Sequence, residues 1–425
     1  MLVVLMVSSM QPAIVQASIE TKAESAIIVD VESGKILYAK NENEAMPPAS
    51  MSKMMIEYLV LKNIDEGNIS WDTTMKISDY VYDISANVNF SGVGLKKDKE
   101  YTVKELYEAM AINSDNATTI ALAELIAGDE GKAVKLMNET AEALGMENFK
   151  FVNATGLDNE SLEGKHPEGT KADETNQLSA KAAATLAYHM VTEYPEVLEV
   201  SSVTETEFDG QTIRNWNWML NHDTEFLKEF YYEGLDGLKT GNTEKAGHAF
   251  TATAERDGRR LISVVMRTGS VEERFGETRK LLDYGFNDFK DTEIFPAGYQ
   301  KEDQKTVPVS TGKEAEVEVA ISEGFTSYIE KGTEEDYELV YQLDEELIDE
   351  DGALQAPVKK GDKIGVAQLQ LDNGANEAYI KDDVATATVD VVAQEDVAKK
   401  NWFSLALDGV GSFFKGLWTK ITDLF

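Results

Sequence analysis

Three short segments of the sequence carry side chains that together could cleave an amide bond. They are PPASMSKMM with Ser50 and Lys53, INSDNATTI with Ser114 and Asn116, and GLKTGNTEK with Lys239, Thr240 and Gly241. A serine hydroxyl is a weak nucleophile until a neighbouring base takes its proton, and a neutral lysine can be that base. A lysine and a threonine beside a glycine offer donors that suit a substrate carboxylate. These residue types therefore point to acyl transfer through a serine.

The order of the three segments is more informative than any one of them. Serine and lysine also stand three residues apart at Ser310/Lys313 and at Ser412/Lys415, and a second S-x-N begins at Ser85. Taken alone, Ser50 could be no more than a helix cap and Lys53 a solvated side chain. The ordered trio S-x-x-K, S-D-N, K-T-G is found in class A β-lactamases and penicillin-binding proteins, and only the chain order 50, 114, 239 reproduces it.

The first segment is predicted to open a core helix. Two prolines precede Ser50, and Met51, Met54 and Met55 then recur at helical spacing. Residues three apart share a face of a helix, so Lys53 can reach the Ser50 hydroxyl. The positive end of the helix and desolvation both favour a neutral lysine.

The patterns around the other two segments predict an α/β fold. The NSDN segment should separate two consecutive helices, because its residues cap helices well. The K-T-G segment should lie just before a strand. Hairpin signals occur at AIIVDVESGKILYAK and around Asp257-Gly258. A sheet is therefore expected from the two ends of residues 18–292, flanked by helices, with an all-helical insertion at about 66–190.

Two further regions are expected after this domain. Alternating β-rich segments predict a separate small β-rich domain over residues 293–393. The tail, residues 394–425, has a stripe of large apolar residues at steps of four and three, which predicts an amphipathic helix lying on a membrane surface. A helix docked on its own β domain or a coiled-coil seam would suit the same stripe.

The composition and the N-terminal sequence exclude some classes of function and indicate where the protein acts. The net charge of −37 argues against a nucleic-acid partner. The absence of cysteine excludes disulfides and thiolate metal sites, and the four histidines lack ligand spacing, so no metal is expected. An apolar run ending in Val15-Gln16-Ala17 predicts a signal peptide over residues 1–17, although a short buried strand is the alternative. The protein is therefore expected to be exported.

The sequence resembles the low-molecular-mass penicillin-binding proteins, which are serine-type D-alanyl-D-alanine carboxypeptidases. Besides the trio, the segments FVNATGLD, HPEGT, NWNWML and RRLISVVM read like that family. The resemblance covers nearly the whole mature chain. It implies a β-lactamase/transpeptidase-like sheet flanked by helices, a peptidoglycan pentapeptide stem as substrate, covalent inhibition by β-lactam antibiotics, no cofactor, and a location at the outer face of the cytoplasmic membrane or in the cell wall.

The resemblance also implies roles for single residues. Ser50 would be acylated, Lys53 would take its proton, and Ser114 would pass protons to and from the leaving amine. The substrate-binding residues would be Asn116, Lys239, Thr240, Gly241, Asn242 and Arg274. Asn242 would share the oxyanion hole with Ser50 through backbone N–H groups, and Arg274 would help to hold the carboxylate, with Arg267 as its competitor.

Three rival functions share parts of this pattern. A β-lactamase needs efficient deacylation, in class A by a glutamate and a water, and Glu168 is the one tempting glutamate. A transpeptidase would keep the trio, whereas a non-catalytic penicillin sensor or wall-binding protein would not need it intact. The segment NWNWML is interpreted as packing with side-chain hydrogen bonds, and His166 with Glu168 as structural loop residues.

Overall fold

The computed structural model describes residues 19–373, 377–381 and 388–401. Within this range the chain divides into two compact units. The first holds residues 19–288 together with 378–381, and the second holds the remainder. The division thus falls between Asp288 and Phe289, four residues before the predicted boundary, because one strand, Phe289–Phe295, spans that boundary and pairs within the second unit. The predicted signal peptide, residues 1–17, lies outside the described residues.

The first unit combines helices with one large sheet. Its helices are α1 (Lys53–Asp65), α2 (Asp79–Ala86), α3 (Val103–Asn113), α4 (Asn116–Ala127), α5 (Glu130–Ala143), α6 (Ala180–Glu193), α7 (Val197–Ser201) and α8 (Val271–Asn287). Short 3-10 helices occupy Ala49–Ser52, Asn159–Leu162 and Glu225–Leu227. Its strands are β1 (Ser25–Asp30), β2 (Ile36–Lys40), β3 (Thr74–Lys76), β4 (Glu100–Thr102), β5 (Phe149–Lys150), β6 (Gln177–Leu178), β7 (Glu205–Phe208), β8 (Gln211–Arg214), β9 (Leu235–Thr243), β10 (Gly247–Arg256) and β11 (Arg259–Thr268).

The large sheet is antiparallel, with the strand order β2-β1-β11-β10-β9. It therefore unites the two ends of the first unit, as the hairpin patterns predict. Successive strand residues point to opposite faces. Ile27 and Val29 join the core that contains α1, whereas Ile28 lies beside Gly285 of α8. Both faces are thus covered by helices, which explains why all six residues of β1 are buried.

Six of the eight described helices of the first unit, all except α1 and α7, begin with a side-chain cap. The side chains of Ser78, Thr102, Asp115, Asp129, Ser179 and Ser270 each accept a backbone N–H in the first turn of the helix that follows. A cap of this type satisfies a donor that the helix itself leaves unpaired. The break predicted at NSDN is present, since α3 ends at Asn113 and α4 begins at Asn116.

The insertion between β2 and β9 is mostly helical but not entirely so. Within residues 66–190, β3 pairs with β4 and β5 pairs with β6, and β7 pairs with β8 shortly afterwards. These antiparallel pairs are two to four residues long. Such short strands carry too few residues for an alternating pattern to stand out from the helices around them, so the expectation of an all-helical insertion is corrected here.

The second unit is β-rich. Its strands are β12 (Phe289–Phe295), β13 (Thr306–Ser310), β14 (Glu316–Ile321), β15 (Phe325–Glu330), β16 (Tyr337–Leu343), β17 (Leu354–Gln355), β18 (Lys363–Leu371) and β19 (Thr388–Ala393), with one 3-10 turn at Glu334–Asp336. A six-stranded sheet has the order β16-β18-β19-β14-β13-β17, and β12 pairs with β15. Buried residues alternate along β14 and β18 and build this unit's own core.

The predicted amphipathic helix does not begin at residue 394. Val397 pairs with Val358 and Lys399 with Gly312 in isolated bridges, and the Val397 side chain is buried in the core of the second unit. This anchoring explains why residues 394–401 are not helical. The remainder of the predicted helix, 402–425, lies outside the described residues. Among the helices that are described, none combines the length and the apolar character that crossing a membrane requires.

Candidate active site

Ser50 lies in a tight turn that feeds directly into α1. It belongs to the 3-10 helix Ala49–Ser52, and the residue before it, Ala49, has a φ of 48°, a left-handed conformation that an alanine rarely adopts. Strain of this kind persists only where surrounding contacts impose it. One such contact is with β9, because a Cβ at Gly241 would lie 2.3 Å from the Pro48 carbonyl oxygen. Glycine at position 241 therefore lets β9 lie against the turn that carries Ser50.

Lys53, the first residue of α1, reaches back to Ser50. Its Nζ lies 2.8 Å from Ser50 Oγ, 2.9 Å from Asn116 Oδ1, 3.2 Å from the Thr155 carbonyl oxygen and 3.5 Å from Ser114 Oγ. The side chain is completely buried. Burial, followed by the positive charge of Lys239, holds the pKa of Lys53 well below its usual range.

These contacts can be made by an ammonium, which would donate to all three close oxygens, and equally by a neutral amine. An ammonium has three donors and no acceptor, whereas a neutral amine has two N–H groups and one lone pair. Lys53 can therefore donate to the two oxygens of Asn116 and Thr155, which only accept, and direct its lone pair at the Ser50 hydroxyl proton. The complete burial of Lys53 provides the desolvation that is expected from the sequence to favour a neutral lysine.

The junction of α3 and α4 supplies Ser114 and Asn116. Ser114 ends α3 in a left-handed conformation with a φ of 60°, and Asp115 then caps α4 by accepting the Thr118 N–H. Asn116 accepts from Lys53 through Oδ1, while its Nδ2 donates to the Ser91 carbonyl oxygen at 3.0 Å. The amide is thereby fixed with its oxygen towards Lys53.

A loop after β5 holds the far side of Lys53. Asn153 Oδ1 accepts the backbone N–H groups of Thr155 and Gly156, and Gly156 has a φ of 80°. A Cβ at Gly156 would lie 1.9 Å from the Ala49 carbonyl oxygen. The loop is also tied to α5, because Glu130 Oε1 accepts the N–H of Ala154 at 3.0 Å. The segment FVNATG therefore positions the Thr155 carbonyl, a role that its side chains alone did not reveal.

Lys239 lies behind the cleft and interacts with the carboxylate of Glu57, a residue that was not predicted from the sequence. Lys239 Nζ donates to the Thr240 carbonyl oxygen at 3.4 Å, and its side chain is buried. Burial lowers the pKa of Lys239, and the negative charge of Glu57 opposes that effect. Glu57 is itself buried, which raises its carboxyl pKa, and its Oε1 has no hydrogen-bond partner among the described residues.

Glu57 follows Lys53 by one helical turn on α1. The feature of the sequence that could have identified it is a charged residue within an apolar segment. Every residue of α1 from Lys53 to Leu61 is buried, so a glutamate at position 57 breaks an otherwise apolar run after the lysine. The apolar spacing suggested one buried face. Because the helix is instead buried on all sides along this stretch, the acidic side chain is placed inside rather than in solvent.

The cleft opens between the Ser50 turn, the α3–α4 junction and β9. Its volume is about 260 Å³, and its described lining residues are Ser50, Ser91, Ser114, Trp216, Trp218, Thr240, Asn242, Val271 and Arg274. Among the described strands β9 is the last of its sheet, so an extended peptide could lie along its outer edge. Five of the predicted site residues thus line the cleft, while Lys53, Asn116, Lys239 and Gly241 support it from behind.

The two arginine candidates occupy different surroundings. Arg274, on α8, lines the cleft, is buried, and donates to the carbonyl oxygens of Gly241 and Ala249. Its Nε is buried without a hydrogen-bond partner among the described residues, and burial lowers its pKa to about 10. Arg267 instead pairs with Glu24 at 3.2 Å. The geometry therefore favours Arg274 as the cleft arginine.

No carboxylate is present among the nine described lining residues of the cleft. Glu168 is exposed, and its backbone packs near Gly131. His166 bonds within its own loop, with Nδ1 at 3.1 Å from Thr170 Oγ1. Neither residue is among the described lining residues of the cleft, which agrees with the expectation of structural loop residues.

Family profiles match both parts of the chain. The profile described as D-alanyl-D-alanine carboxypeptidase matches residues 10–270, and that of the penicillin-binding protein 5 C-terminal domain matches residues 289–399. The chain is 30% identical to D-alanyl-D-alanine carboxypeptidase DacF of Bacillus subtilis over 94% of this chain and 90% of that protein. It is 26% identical to D-alanyl-D-alanine carboxypeptidase DacA of Escherichia coli over 92% and 88%, respectively.

Solved structures resemble the fold. A peptidoglycan synthesis regulatory factor (PBP3) from Streptococcus pneumoniae superposes with a TM-score of 0.68 at 31% identity, covering 89% of this chain and all of that one. Penicillin-binding protein D2 from Listeria monocytogenes in its cefotaxime-bound form gives a TM-score of 0.54 at 31% identity, covering 64% of this chain and all of that one.

Proposed function

The chain belongs to the D-alanyl-D-alanine carboxypeptidase family, and we propose that it removes the terminal D-alanine from peptidoglycan stem peptides through an acyl-enzyme on Ser50. The observation that carries the proposal is the position of Lys53, whose Nζ lies within hydrogen-bond reach of Ser50 Oγ in a fully buried setting. A base must reach the proton that it abstracts, and its pKa must suit the operating pH. Lys53 meets the first condition, and burial lowers its pKa well below the usual range, which is the direction that the second condition requires.

In the proposed acylation step, Ser50 Oγ attacks the carbonyl carbon of the penultimate D-alanine while its proton moves to Lys53. The carbonyl oxygen becomes an oxyanion, which the backbone N–H groups of Ser50 and Asn242 would stabilise; such preorganised donors supply a large part of catalysis. The C–N bond then breaks. The leaving amine takes a proton that Ser114 passes on from Lys53, and free D-alanine departs.

In the proposed deacylation step, water replaces the departed amine. Lys53 accepts a proton from the water, hydroxide attacks the ester carbonyl, and the C–O bond to Ser50 breaks. The shortened peptide leaves with a new carboxylate, and Ser50 regains its proton. Asn116 would keep Lys53 aimed at Ser50 in both steps, through the 2.9 Å contact with its Oδ1.

The terminal carboxylate of the substrate would bind at the K-T-G end of the cleft. Thr240 offers a hydroxyl, Arg274 lines the same cleft, and Lys239 lies behind Thr240. Two cationic side chains near one end attract an anionic group, and the buried setting strengthens that attraction. The peptide itself would extend along the outer edge of β9.

The second candidate function, a β-lactamase, has less support. β-Lactams would acylate Ser50 by the same route, because the intact ring presents an amide carbonyl that Ser50 Oγ can attack, and the ring opens when its C–N bond breaks. A class A β-lactamase then uses a glutamate to activate water, but the described lining of this cleft has no carboxylate and Glu168 is exposed. We therefore propose long-lived inhibition by β-lactams rather than their rapid hydrolysis.

We further propose that the protein is exported and acts at the outer face of the cytoplasmic membrane or in the cell wall. The supports are the apolar start of the sequence, the wall substrate, and the apolar stripe of the tail from residue 403 onwards. A chain ending at Ala398 should lose membrane association in cell fractionation yet still bind penicillin. Equal recovery of both forms in the membrane pellet would show that the tail is not the anchor.

The activity is tested by mass spectrometry of the exported protein incubated with a diacyl-D-Ala-D-Ala peptide. We expect loss of one D-alanine and, with penicillin, a stable adduct that maps to Ser50. Ser50→Ala should abolish both. Rapid penicillin hydrolysis would instead favour the β-lactamase, and inertness towards both compounds would favour a non-catalytic sensor.

A further inference from the structure

One wall of the cleft is aromatic, although the proposed reaction assigns it no role. Trp216 and Trp218, from the segment NWNWML, line the cleft together with Val271. The sequence predicts packing with side-chain hydrogen bonds for this segment, and the structure has both, in the bonds of its asparagines and in the packing of Trp218. In addition, both tryptophans line the cleft.

The loop that carries the two tryptophans is rigidly built. Asn215 Nδ2 donates to the carbonyl oxygens of Ser201 and Val203, and its Oδ1 accepts the N–H of Asn217. Asn217 Oδ1 in turn accepts the N–H of Met219 at 3.1 Å. These bonds fix the backbone on both sides of each tryptophan, so that the position of the aromatic wall is set before any ligand arrives.

The two indole rings differ in what covers them. The ring of Trp218 packs on those of Phe226, Phe230 and Phe275, with centroid distances of 5.0, 5.2 and 5.5 Å. Trp216 is held at one edge by its Nε1, which donates to the Asn113 carbonyl oxygen at 3.0 Å, and it is 51% exposed. A pinned ring with an open face is able to bury an apolar group of a ligand.

The aromatic wall adjoins the part of the cleft that would hold the terminal residue of the substrate, which is the residue released. Val271 and Arg274 stand three apart on α8 and share a face of that helix, and both line the cleft with Thr240. If Thr240 and Arg274 hold the terminal carboxylate, the side chain of the same residue is attached only one carbon away. That side chain then points among the neighbouring lining residues, which on this side are Val271 and the two tryptophans.

We propose that Trp216 and Trp218 form a subsite for an apolar side chain on the terminal residue of the substrate, so that the enzyme releases D-residues larger than alanine. This inference rests on the proposed carboxypeptidase function. A methyl group alone would leave the open face of Trp216 uncovered, whereas a branched aliphatic side chain could cover it. An anionic side chain would lose its hydration against the tryptophans and would have to compete with the terminal carboxylate for Arg274.

The test compares diacyl peptides that differ only in their last residue: D-Ala-D-Ala, D-Ala-D-Leu and D-Ala-D-Glu. Wild-type protein should cleave the D-Leu peptide with a kcat/KM at least equal to that for D-Ala, and the D-Glu peptide at least tenfold less well. In Trp216→Ala the D-Leu to D-Ala ratio should fall about tenfold, the lower end of the range for a lost apolar contact in a pocket. Trp216→Phe should restore most of the ratio.

A matched control is Tyr231→Ala, which removes an exposed aromatic side chain that is not among the described lining residues; its ratio should equal that of the wild type. A wild-type preference for D-Ala over D-Leu of tenfold or more would overturn the proposal without any variant. So would an equal loss on all three peptides in Trp216→Ala. A fourth peptide, ending in D-Leu-D-Ala, is assayed as well, and a selective loss on it in Trp216→Ala would also overturn the proposal, because it would place the aromatic wall on the acyl side. Failure of wild type to release D-alanine at all would refute the carboxypeptidase function itself.

Discussion

Gly156 offers a direct test of whether the loop behind Lys53 sets the geometry of Ser50. In Gly156→Ala the new Cβ would lie 1.9 Å from the Ala49 carbonyl oxygen, whereas real Cβ contacts are essentially never below 3.0 Å. Loop and turn must therefore separate by at least 1.1 Å, the difference between 3.0 and 1.9 Å. The Cβ is fixed in place by the backbone of residue 156 and the oxygen is itself a backbone atom, so neither can rotate away as the end of a flexible side chain does. Ser50 follows Ala49 directly, so its hydroxyl moves with the turn.

The size of the effect follows from that displacement. A misplacement of about 1 Å in a catalytic group costs on the order of 100-fold in rate. The same movement carries away the Thr155 carbonyl, which lies 3.2 Å from Lys53 Nζ. Stability should also fall by about 2–5 kcal/mol, because an alanine at positive φ costs about 1–2 kcal/mol and overpacking adds about 1–3 kcal/mol.

Gly67→Ala is the matched control. Gly67 has a φ of 73°, similar to the 80° of Gly156, but nothing lies within 4 Å of its would-be Cβ. It therefore has the conformational cost without the clash. The assay is the first-order rate of acylation by a fluorescent penicillin, which does not depend on how much protein is folded, with the melting temperature measured in parallel. If Gly156→Ala acylates within threefold of Gly67→Ala, the loop does not control Ser50.

Three further predictions concern the buried charges. Lys53→Ala should lower the rate of acylation by penicillin at least 10²-fold, the lower bound for a lost positioned base; a smaller loss would assign proton removal to another group. Lys239→Ala should abolish the preference for a peptide with a free carboxylate over its C-terminal amide, and an unchanged preference in steady-state assays would remove Lys239 from the carboxylate site. In Glu57→Gln the pKa values of both lysines should fall, since Lys53 and Lys239 lose a negative charge that raises them. Acylation needs neutral Lys53 and cationic Lys239, so both limbs of its pH profile should move to lower pH; limbs that stay in place would contradict the coupling.

Local chemistry in the sequence marks each of the proposed reacting groups that the structure brings together. Ser50 and Lys53 are one helical turn apart, the NSDN break is made by capping residues, and Asp257-Gly258 turns a hairpin. Each of these signals depends on neighbours within a few positions, where the spacing of residues determines what they can touch. The same holds for the strands around K-T-G, which follow from alternation and turn residues.

The missing parts of the site depend on contacts that no local spacing encodes. Glu57 acts on Lys239, which is far away in sequence but close in the fold. Thr155 contributes a backbone carbonyl, which every residue has, so its type gives no signal. The segment 378–381 is a similar case in the fold, because the Ile36 N–H donates to the Ala378 carbonyl oxygen and the Ile380 N–H to that of Gly34. Only the folded chain brings such groups together.

Two buried lysines in one site would repel each other if both were charged. The structure favours a different protonation state for each of them. Lys53 contacts oxygens that a neutral amine can bond, and the charge of Lys239 helps to keep it neutral. Lys239 has few hydrogen bonds of its own, and the charge of Glu57 favours its cationic form. One lysine is thereby left as a base and the other as a cation for the substrate carboxylate. Arrival of that carboxylate would add negative charge beside Lys239 and reduce its repulsion of Lys53, so substrate binding should itself raise the proton affinity of the base at the moment when it must accept the Ser50 proton.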